Sequence, residues 1–302
     1  MNKQFFHLVC FLILLGSRSL AQGDGKTYYL KFNMAKGQKF SYKIGMDMNI
    51  DQSIMGQDVH VNTRIGMNYQ LAVVGDSAGW KKIAAVFDRM LMHVNANGQG
   101  MDMDTDSSGN LEGPAGSIMK AFKSLIGQKF YYTMNEKGEV GQVSGIKEIA
   151  DRMKEGMSGL GAGADGVSQV FNDESFRQNM EQAYKYYPKK PIAIGESWSA
   201  SMNTTSNGIP MTTDGTYTLA SVNGDIATIK AVGTLKTAEG ATVQGMPMTM
   251  TGTFDGTTEF ELSTGLPVNG TADMKTDMKL DMQGQSIPVK MDMKMNMLGK
   301  KL

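Results

Sequence analysis

The strongest constraint in this sequence is an alternation of apolar and polar residues that recurs over long stretches. In "VKMDMKMNML" (289–298) a methionine stands at 291, 293, 295 and 297, with charged or polar residues between them. Successive side chains of a β-strand point to opposite faces, so this pattern predicts a strand with one apolar face. The same alternation runs through 40–50, 59–73 and 270–282. Long antiparallel strands are therefore expected to dominate the fold.

The strand patterns fall into two regions, and the periodicity changes between them. Residues 26–106 and 192–300 read as hairpin-rich halves, whereas 112–188 reads as an α-rich insert. Helices are predicted near 118–126, 145–154 and 173–187, with a short hairpin over 129–143. We predict a mainly β (α+β) fold, in which the insert covers the apolar face of a curved antiparallel sheet or half-barrel of long hairpins. The halves could form one sheet or two, and one continuous sheet is favoured.

The N-terminal stretch "MNKQFFHLVCFLILLGSRSLAQ" has the features of a secretory signal peptide. A basic Lys3 precedes an apolar run too short to span a bilayer, and Ser19-Leu20-Ala21 fits a cleavage site. We expect cleavage after Ala21, a single β-rich domain over 22–302, and export to the periplasm or the cell exterior. The one cysteine of the chain, Cys10, lies in the apolar run. The processed protein is therefore expected to lack thiol chemistry and disulfides.

The register of the last hairpin can be predicted from its charges. Pairing Asp281 with Lys290 and Lys279 with Asp292 opposes unlike charges, whereas pairing Lys279 with Lys290 opposes like ones. The first register is favoured, and it leaves 283–288 as a six-residue loop with Pro288 outside the ladder.

The chain has 27 methionines, and many fall on the predicted apolar faces. Methionine is flexible and polarisable, so a methionine surface can adapt to apolar occupants of different shape. We predict a concave sheet that binds an apolar or lipid-like ligand without catalysis. The predicted ligand-lining residues are Met46, Met48, Ile50, Val61, Ile65, Met67, Met246, Met248, Met250, Met278, Leu280, Met291, Met293 and Met295.

Other interpretations of the methionines stay open at this point. They could pack beneath the helices as an ordinary core, or hold a soft ion such as Cu(I). A different class of function is a structural or interaction protein of the cell envelope without a small-molecule ligand, whose strand edges or charged outer face meet a protein partner.

Motifs for catalysis or metal binding are weak. "DTDSSGNL" (104–111) resembles the start of a calcium loop, but Ala115 stands where the closing carboxylate is required. "GAGADG" (161–166) lacks the strand and helix of a dinucleotide site. His60 and His93 have no partner at metal-binding spacing. No G-x-S-x-G elbow is present, and 30 basic residues balance 30 acidic ones. We therefore predict no enzyme, metal, cofactor or nucleic-acid partner.

One segment carries a resemblance to known proteins. "SLIGQKFYYTMNEKGEVGQVSGIKEI" (124–149), with the signal peptide and the M-x-M strands, resembles a secreted Bacteroidetes family of unknown function. More distantly, long strands interrupted by helices resemble the LolA and LppX lipoprotein carriers. That resemblance implies an unclosed half-barrel lined with apolar side chains, a helical lid and a bound acyl chain. This chain has no lipobox cysteine and no assignable basic residue for ligand capture.

Overall fold

A computed structural model describes residues 25–302 except 55–56, 109–112, 158–172, 185, 207–208, 244 and 283–284. Strands dominate the described ranges and form a large curved antiparallel sheet that does not close on itself. This confirms the predicted fold class. None of the helices in those ranges has the length and apolar character required to cross a bilayer.

The elements follow one another as the periodicity indicates. The helices are α1 (Gly113–Leu125), α2 (Ile146–Gly156) and α3 (Asp173–Tyr184). The strands are β1 (Thr27–Tyr28), β2 (Lys39–Ile54), β3 (Gln57–Ser77), β4 (Trp80–Ala96), β5 (Gln99–Asp104), β6 (Lys129–Asn135), β7 (Val140–Ser144), β8 (Ile192–Ala193), β9 (Ser197–Ser206), β10 (Ile209–Asn223), β11 (Ile226–Thr237), β12 (Thr242–Val243), β13 (Met246–Glu261), β14 (Leu266–Met282) and β15 (Gln285–Lys301).

The sheet joins both halves of the chain. In the described part it has 13 strands, with the main path β7-β6-β4-β3-β2-β15-β14-β13-β11-β10-β9. The first and last long strands, β2 and β15, pair from Val289 opposite Gln52 to Lys301 opposite Phe40. This central pairing confirms one continuous sheet.

Strand β4 pairs with β3 on one side, and on its other side it divides its length between two partners. Its first part pairs with β6, and its second part pairs with β5. The hairpin β6–β7, which the sequence places within the α-rich insert, thus lies at one end of the sheet. Ile83, Ala84 and Ala85 of β4 are all buried, so both faces of the sheet are covered at this stretch.

The main core lies at one end of the long strands. The helices and the segment after β1 pack there against the even-numbered side chains of β2 and their neighbours on the same face. Its largest fully buried side chains include Phe32, Met34, Phe40, Tyr42, Ile83, Leu125, Tyr132, Met134, Leu219 and Leu266. Helices α1 and α2 approach closely at Gly156, where a Cβ would lie 2.8 Å from Ala121 Cα. The insert therefore covers the core end of the apolar face.

The predicted register of the last hairpin is wrong. Asp277, not Asp281, lies opposite Lys290, and Met282 lies opposite Gln285. Pro288 lies within the ladder, opposite Lys279. The observed register also opposes unlike charges, because Asp and Lys alternate along β14, and its pairing continues to Met282 opposite Gln285, closer to the hairpin end than expected. A short connection is the commonest solution for a hairpin.

Candidate functional site

The strand registers align the apolar side chains in rows that run across the sheet. Directly opposite residues of an antiparallel pair share a face, so each row is a band of neighbouring side chains. The first row contains Met103, Met92, Ile65, Met46, Met295, Ala272, Gly256, Ala231, Tyr217 and Trp198. The second contains Met101, Val94, Thr63, Met48, Met293, Met274, Phe254, Gly233, Gly215 and Ala200. The third contains Ala96, Val61, Ile50, Met291, Thr276, Gly252, Leu235, Thr213 and Met202. We call these three rows, with the residues beyond them on the same face, the methionine face.

The predicted ligand-lining residues share this face. Beyond the third row, Met250 lies opposite Met278, and Met248 lies opposite Leu280. Met246 follows at the start of β13. On the core side of the first row, Met67 lies between Ile44 and Met90. The structure thus places these residues together; their contact with a ligand stays a prediction.

Several members of the face are absent from the predicted set. Met274 and Phe254 continue the alternation of their strands, so parity alone could have identified them. Parity could not have identified Met92, because β4 contains one extra residue at Asp88. Asn68 pairs with Arg89, whereas the next residue, Tyr69, pairs with Phe87. The extra residue in β4 changes which parity faces inward, as a β-bulge does.

Burial varies along the methionine face. Near the core end the helices cover it, and at β11 and β13 a second small cluster buries Leu235, Met248 and Met250. Between these two places most of the apolar side chains are only partly buried, and Met295 is 37 % exposed. An apolar band with this partial exposure crosses the middle of the sheet.

Aromatic rings pack against two glycines of the second row. At Gly233 a Cβ would lie 2.4 Å from Cε1 of Phe254, and at Gly215 it would lie 2.9 Å from Cε2 of Tyr217. The rings lie against the backbone where a side chain would otherwise stand. The absence of side chains at these two positions allows the rings to lie flat on the β10–β11 end of the face.

A cavity adjoins each end of the first row. The one beside β4 and β5 has a volume of about 280 Å³ and is lined by Met92, Met103 and Met119, among others. The one beside β9 has a volume of about 550 Å³ and includes Trp198 and Ala200 in its wall.

Aromatic residues mark the boundary between the core and the methionine face. Tyr42 stacks on Tyr69 with ring centroids 5.1 Å apart, and Trp198 stacks on Tyr217 at 5.8 Å. Burial raises the pKa of Tyr184 to about 12 and raises the pKa of Tyr42 well above its ordinary value. These phenols are therefore neutral at physiological pH.

The opposite face of the sheet carries paired charges. Arg64 Nε lies 2.7 Å from Asp47 Oδ1, and Lys294 lies across from Asp47 on the other side. His60 and His93 belong to this outer face, each with Nδ1 2.5 Å from a carboxylate oxygen, of Asp51 and Asp102 respectively. The methionine thioethers and these histidines therefore lie on different faces of the strands.

The first residues of the calcium-like segment contact an arginine, and residues 109–111 of that segment lie outside the described residues. Arg89 hydrogen-bonds both carboxylate oxygens of Asp104, and its Nε lies 3.2 Å from Asp106 Oδ2. The guanidinium group, through its hydrogen bonds, lowers the pKa of Asp104. Within the described ranges no group of three or more His, Cys, Asp or Glu side chains could hold a metal ion. The G-x-G-x-x-G segment at 161–166 lies outside the described residues.

Comparison with solved structures shows a shared fold with one large protein. A structure of lipid–protein interactions in lipovitellin matches with a TM-score of 0.51 and 7 % identity, over 88 % of this chain and 25 % of that one. This chain thus spans a quarter of the length of the lipovitellin chain, and the likeness concerns the fold alone.

Two further similarities are much weaker. An outer membrane channel from Pseudomonas putida F1 gives a TM-score of 0.23 at 6 % identity, over 89 % of this chain and 97 % of that one. The translocator domain of the autotransporter NalP from Neisseria meningitidis gives 0.22 at 6 % identity, over 88 % and 89 %.

Sequence comparison identifies the family. Curated proteins give no match to this chain. A family model described as "Family of unknown function (DUF6263)" matches residues 78–267. This match covers more than half of the chain, which therefore belongs to the DUF6263 family of unknown function.

Proposed function

We propose that this protein binds an apolar or lipid-like ligand on its methionine face, without catalysis, after export from the cytoplasm. The observation that carries the proposal is the partly exposed apolar band that continues from the packed core across the middle of the sheet. Large contiguous apolar surfaces on proteins commonly mark sites that bind a ligand, another protein or a membrane.

The chemistry of the face supports an adaptable apolar ligand. Directly opposed pairs such as Met48 with Met293, and Met293 with Met274, bring several thioether side chains together. Each can change rotamer at low cost and keep contact with a flexible chain. Burial of alkyl surface would stabilise the complex by roughly 25 cal/mol per Å².

The two cavities at the ends of the first row support the same proposal. Their walls include apolar side chains of that row, Met92 and Met103 at one end and Trp198 at the other. An elongated ligand along the row could occupy space beyond the open band at either end. Polar residues also line both cavities, among them Asp102 and Asp104 at one end and Lys189 and Lys190 at the other, so a ligand with an apolar chain and a polar group would fit there.

The structural neighbour is consistent with this proposal. Lipovitellin, whose fold this chain shares in part, is described by its lipid–protein interactions. We extend apolar ligand binding to this chain by analogy of fold, and fold analogy by itself does not fix function.

Extraction of native protein provides the first test. Protein purified without detergent and extracted with organic solvent should release a lipid that mass spectrometry detects in stoichiometric amount. Repeated preparations without such a lipid, combined with no saturable binding of a fluorescent long-chain fatty acid, would refute the proposal.

A pair of substitutions then locates the site. Met48→Glu with Met293→Glu places two carboxylates in the middle of the second row, and the affinity for the fluorescent fatty acid should fall at least about tenfold, or about 1.4 kcal/mol. The control is Thr253→Glu, which adds a carboxylate at an exposed position of β13 opposite Lys275. It should change the affinity less than twofold. Equal losses in both proteins would place the ligand elsewhere.

A further inference from the structure

The cavity beside β9 is apolar inside and cationic at its rim. Of the residues in its wall, Tyr187, Pro188 and Ile192 are buried, whereas Lys189 and Lys190 are exposed. An alkyl chain would be stabilised by burial in such an interior, and a few polar groups at the rim of a pocket fix the orientation of what it binds. The cavity therefore has the polarity of a site for an amphipathic molecule.

The strand side of the cavity also offers apolar surface. Trp198 and Ala200 of β9 belong to this part of the wall. The indole N–H of Trp198 donates a hydrogen bond to the carbonyl oxygen of Tyr186 at 2.7 Å, so the polar atom of the ring already has its partner. The ring therefore offers carbon surface to a molecule in the cavity, and the lysines are left as the donors of charge-assisted hydrogen bonds.

The segment that carries the two lysines is restrained. Pro188 and Pro191 flank them, and each proline holds its own backbone at a φ of about −65°. Ile192 follows in β8, which pairs with β1. A lysine on a restrained segment loses less conformational freedom on binding than one on a free loop, so this position favours ligand capture.

The two lysines differ in the partners that they already have. Lys190 Nζ lies 2.6 Å from Glu196 Oε1, so a carboxylate of the protein shares its charge. Among the described residues, no carboxylate forms an ion pair with Lys189. The rim of the cavity thus holds a cation without a counter-charge from those residues.

The acidic residues at the other end of the first row are already paired. Asp104 accepts two hydrogen bonds from Arg89, and Asp102 Oδ1 lies 2.5 Å from His93 Nδ1. A cationic ligand would have to compete with these partners for the carboxylates. Of the two cavities, the one beside β9 is therefore better suited to a charged group, and the charge that it favours is negative.

We infer that the ligand is an anionic single-chain amphiphile, whose head group lies at Lys189 and whose alkyl chain runs along the first row toward Met295. This inference rests on the proposed function and adds to it the charge of the ligand and its direction on the methionine face. A fatty-acid carboxylate is the simplest molecule of this class. Lys189, with Lys190 beside it, donates charge-assisted hydrogen bonds to the oxygens of the head group.

The dimensions of the sheet agree with a long chain. From Trp198 on β9 to Met295 on β15 the first row crosses five strand-to-strand steps. At about 4.8 Å for each step, this path is roughly 24 Å long. The side chains in the middle of the path are small, since it passes Ala231, Gly256 and Ala272. A long acyl chain can therefore reach from the rim of the cavity to the exposed methionines.

Displacement of the fluorescent fatty acid tests the charge. A fatty acid should bind at least about fivefold more tightly than its methyl ester, and the primary amine of equal chain length should bind most weakly. Inorganic phosphate at the same concentration should not displace the probe, because it lacks the chain. The preference for the acid should shrink at high salt.

A matched pair of variants assigns this preference to one lysine. Lys189→Gln should remove most of the difference between acid and ester and leave the affinity for the ester unchanged. The control is Lys230→Gln, which removes the same charge from an exposed position on the outer face of β11. It should change the affinity for the acid less than twofold.

Quenching of tryptophan fluorescence tests the direction of the chain. Trp80→Phe leaves Trp198 as the one tryptophan of the sequence. Stearic acid with a nitroxide near its carboxyl group should quench Trp198 more strongly than stearic acid with a nitroxide near its methyl end. Equal quenching, or stronger quenching from the methyl end, would overturn the direction.

The outcomes separate this inference from the proposed function. If acid, ester and amine bind equally, or if Lys189→Gln and Lys230→Gln weaken the acid alike, the methionine face still binds an apolar ligand but the anionic head group is refuted. Tightest binding of the amine would refute it as well. If neither the fluorescent probe nor any of the three compounds binds, the proposed function fails and this inference fails with it.

Discussion

At the scale of single residues, Gly265 shows how the fold depends on one missing side chain. It lies in the turn between β13 and β14 with φ of +72°, and a Cβ there would lie 1.9 Å from the carbonyl oxygen of Lys31. The segment after β1 crosses this turn, where Asn33 N donates to Thr264 O at 2.8 Å. Tyr187 Oη also donates to Gly265 O at 2.7 Å. The close approach ties the N-terminal segment to the second half of the sheet.

Gly265→Ala should therefore lower the free energy of unfolding by about 2–5 kcal/mol, since it combines a left-handed backbone with a clash against another segment. Gly224→Ala is the control. Gly224 has a similar φ of +60°, but among the described residues no atom beyond its chain neighbours lies within 4 Å of the position that a Cβ would take there. The control should lose only about 1–2 kcal/mol. Urea denaturation followed by circular dichroism measures both, and equal losses would contradict the crossing described above.

At the scale of elements, oppositely charged residues lie across from each other on the outer face of the β14–β15 hairpin. Asp277 lies opposite Lys290, Lys275 opposite Asp292, and Asp273 opposite Lys294. Each exposed pair contributes little, but all three agree on one register. The alternation of Asp and Lys allows several registers with favourable charges, and the pairing of Met282 with Gln285 distinguishes between them.

A double-mutant cycle tests this register. Asp277→Asn and Lys290→Gln should show a coupling energy of about 0.2–1 kcal/mol in urea denaturation, and it should shrink at high salt. The comparison cycle uses Asp281→Asn with Lys290→Gln, the pair that the charge pattern of the sequence favours. It should show no measurable coupling, because Asp281 lies opposite Ser286. Stronger coupling in the second cycle would reverse the assignment.

At the scale of the whole molecule, the methionines divide into a sealed core and an accessible face. Met34 and Met134 are 0 % exposed, whereas Met295 is 37 % exposed. The same residue type thus serves two environments, one packed by helices and one open to a ligand under the proposed function.

Mild peroxide should distinguish the two groups. Met295 should form its sulfoxide faster than Met34 and Met134, as peptide mass spectrometry over a time course would record. Oxidised protein should then bind the fluorescent fatty acid more weakly, because the sulfoxide is polar. Uniform oxidation of all three would contradict the division, and unchanged binding after oxidation of the face would contradict the site.

Much of the secondary structure was predictable from period alone. The strand pattern at 40–50 lies within the observed strand Lys39–Ile54, and the predicted helix 145–154 is observed as Ile146–Gly156. The third helix ends at Tyr184 and not at 187. Pro188 accounts for part of this difference, because the residue before a proline is biased away from helical conformation.

The sequence by itself determined that the strands are long and one-sided, because local alternation fixes which side chains share a face. Only the tertiary structure decided which strands are neighbours and how their side chains align. Met46 and Met295 meet although they lie near opposite ends of the chain, and no local pattern specifies that contact. Any even shift between two strands preserves their faces, so the choice depends on turn geometry, bulges such as that near Phe87, and packing of the whole sheet.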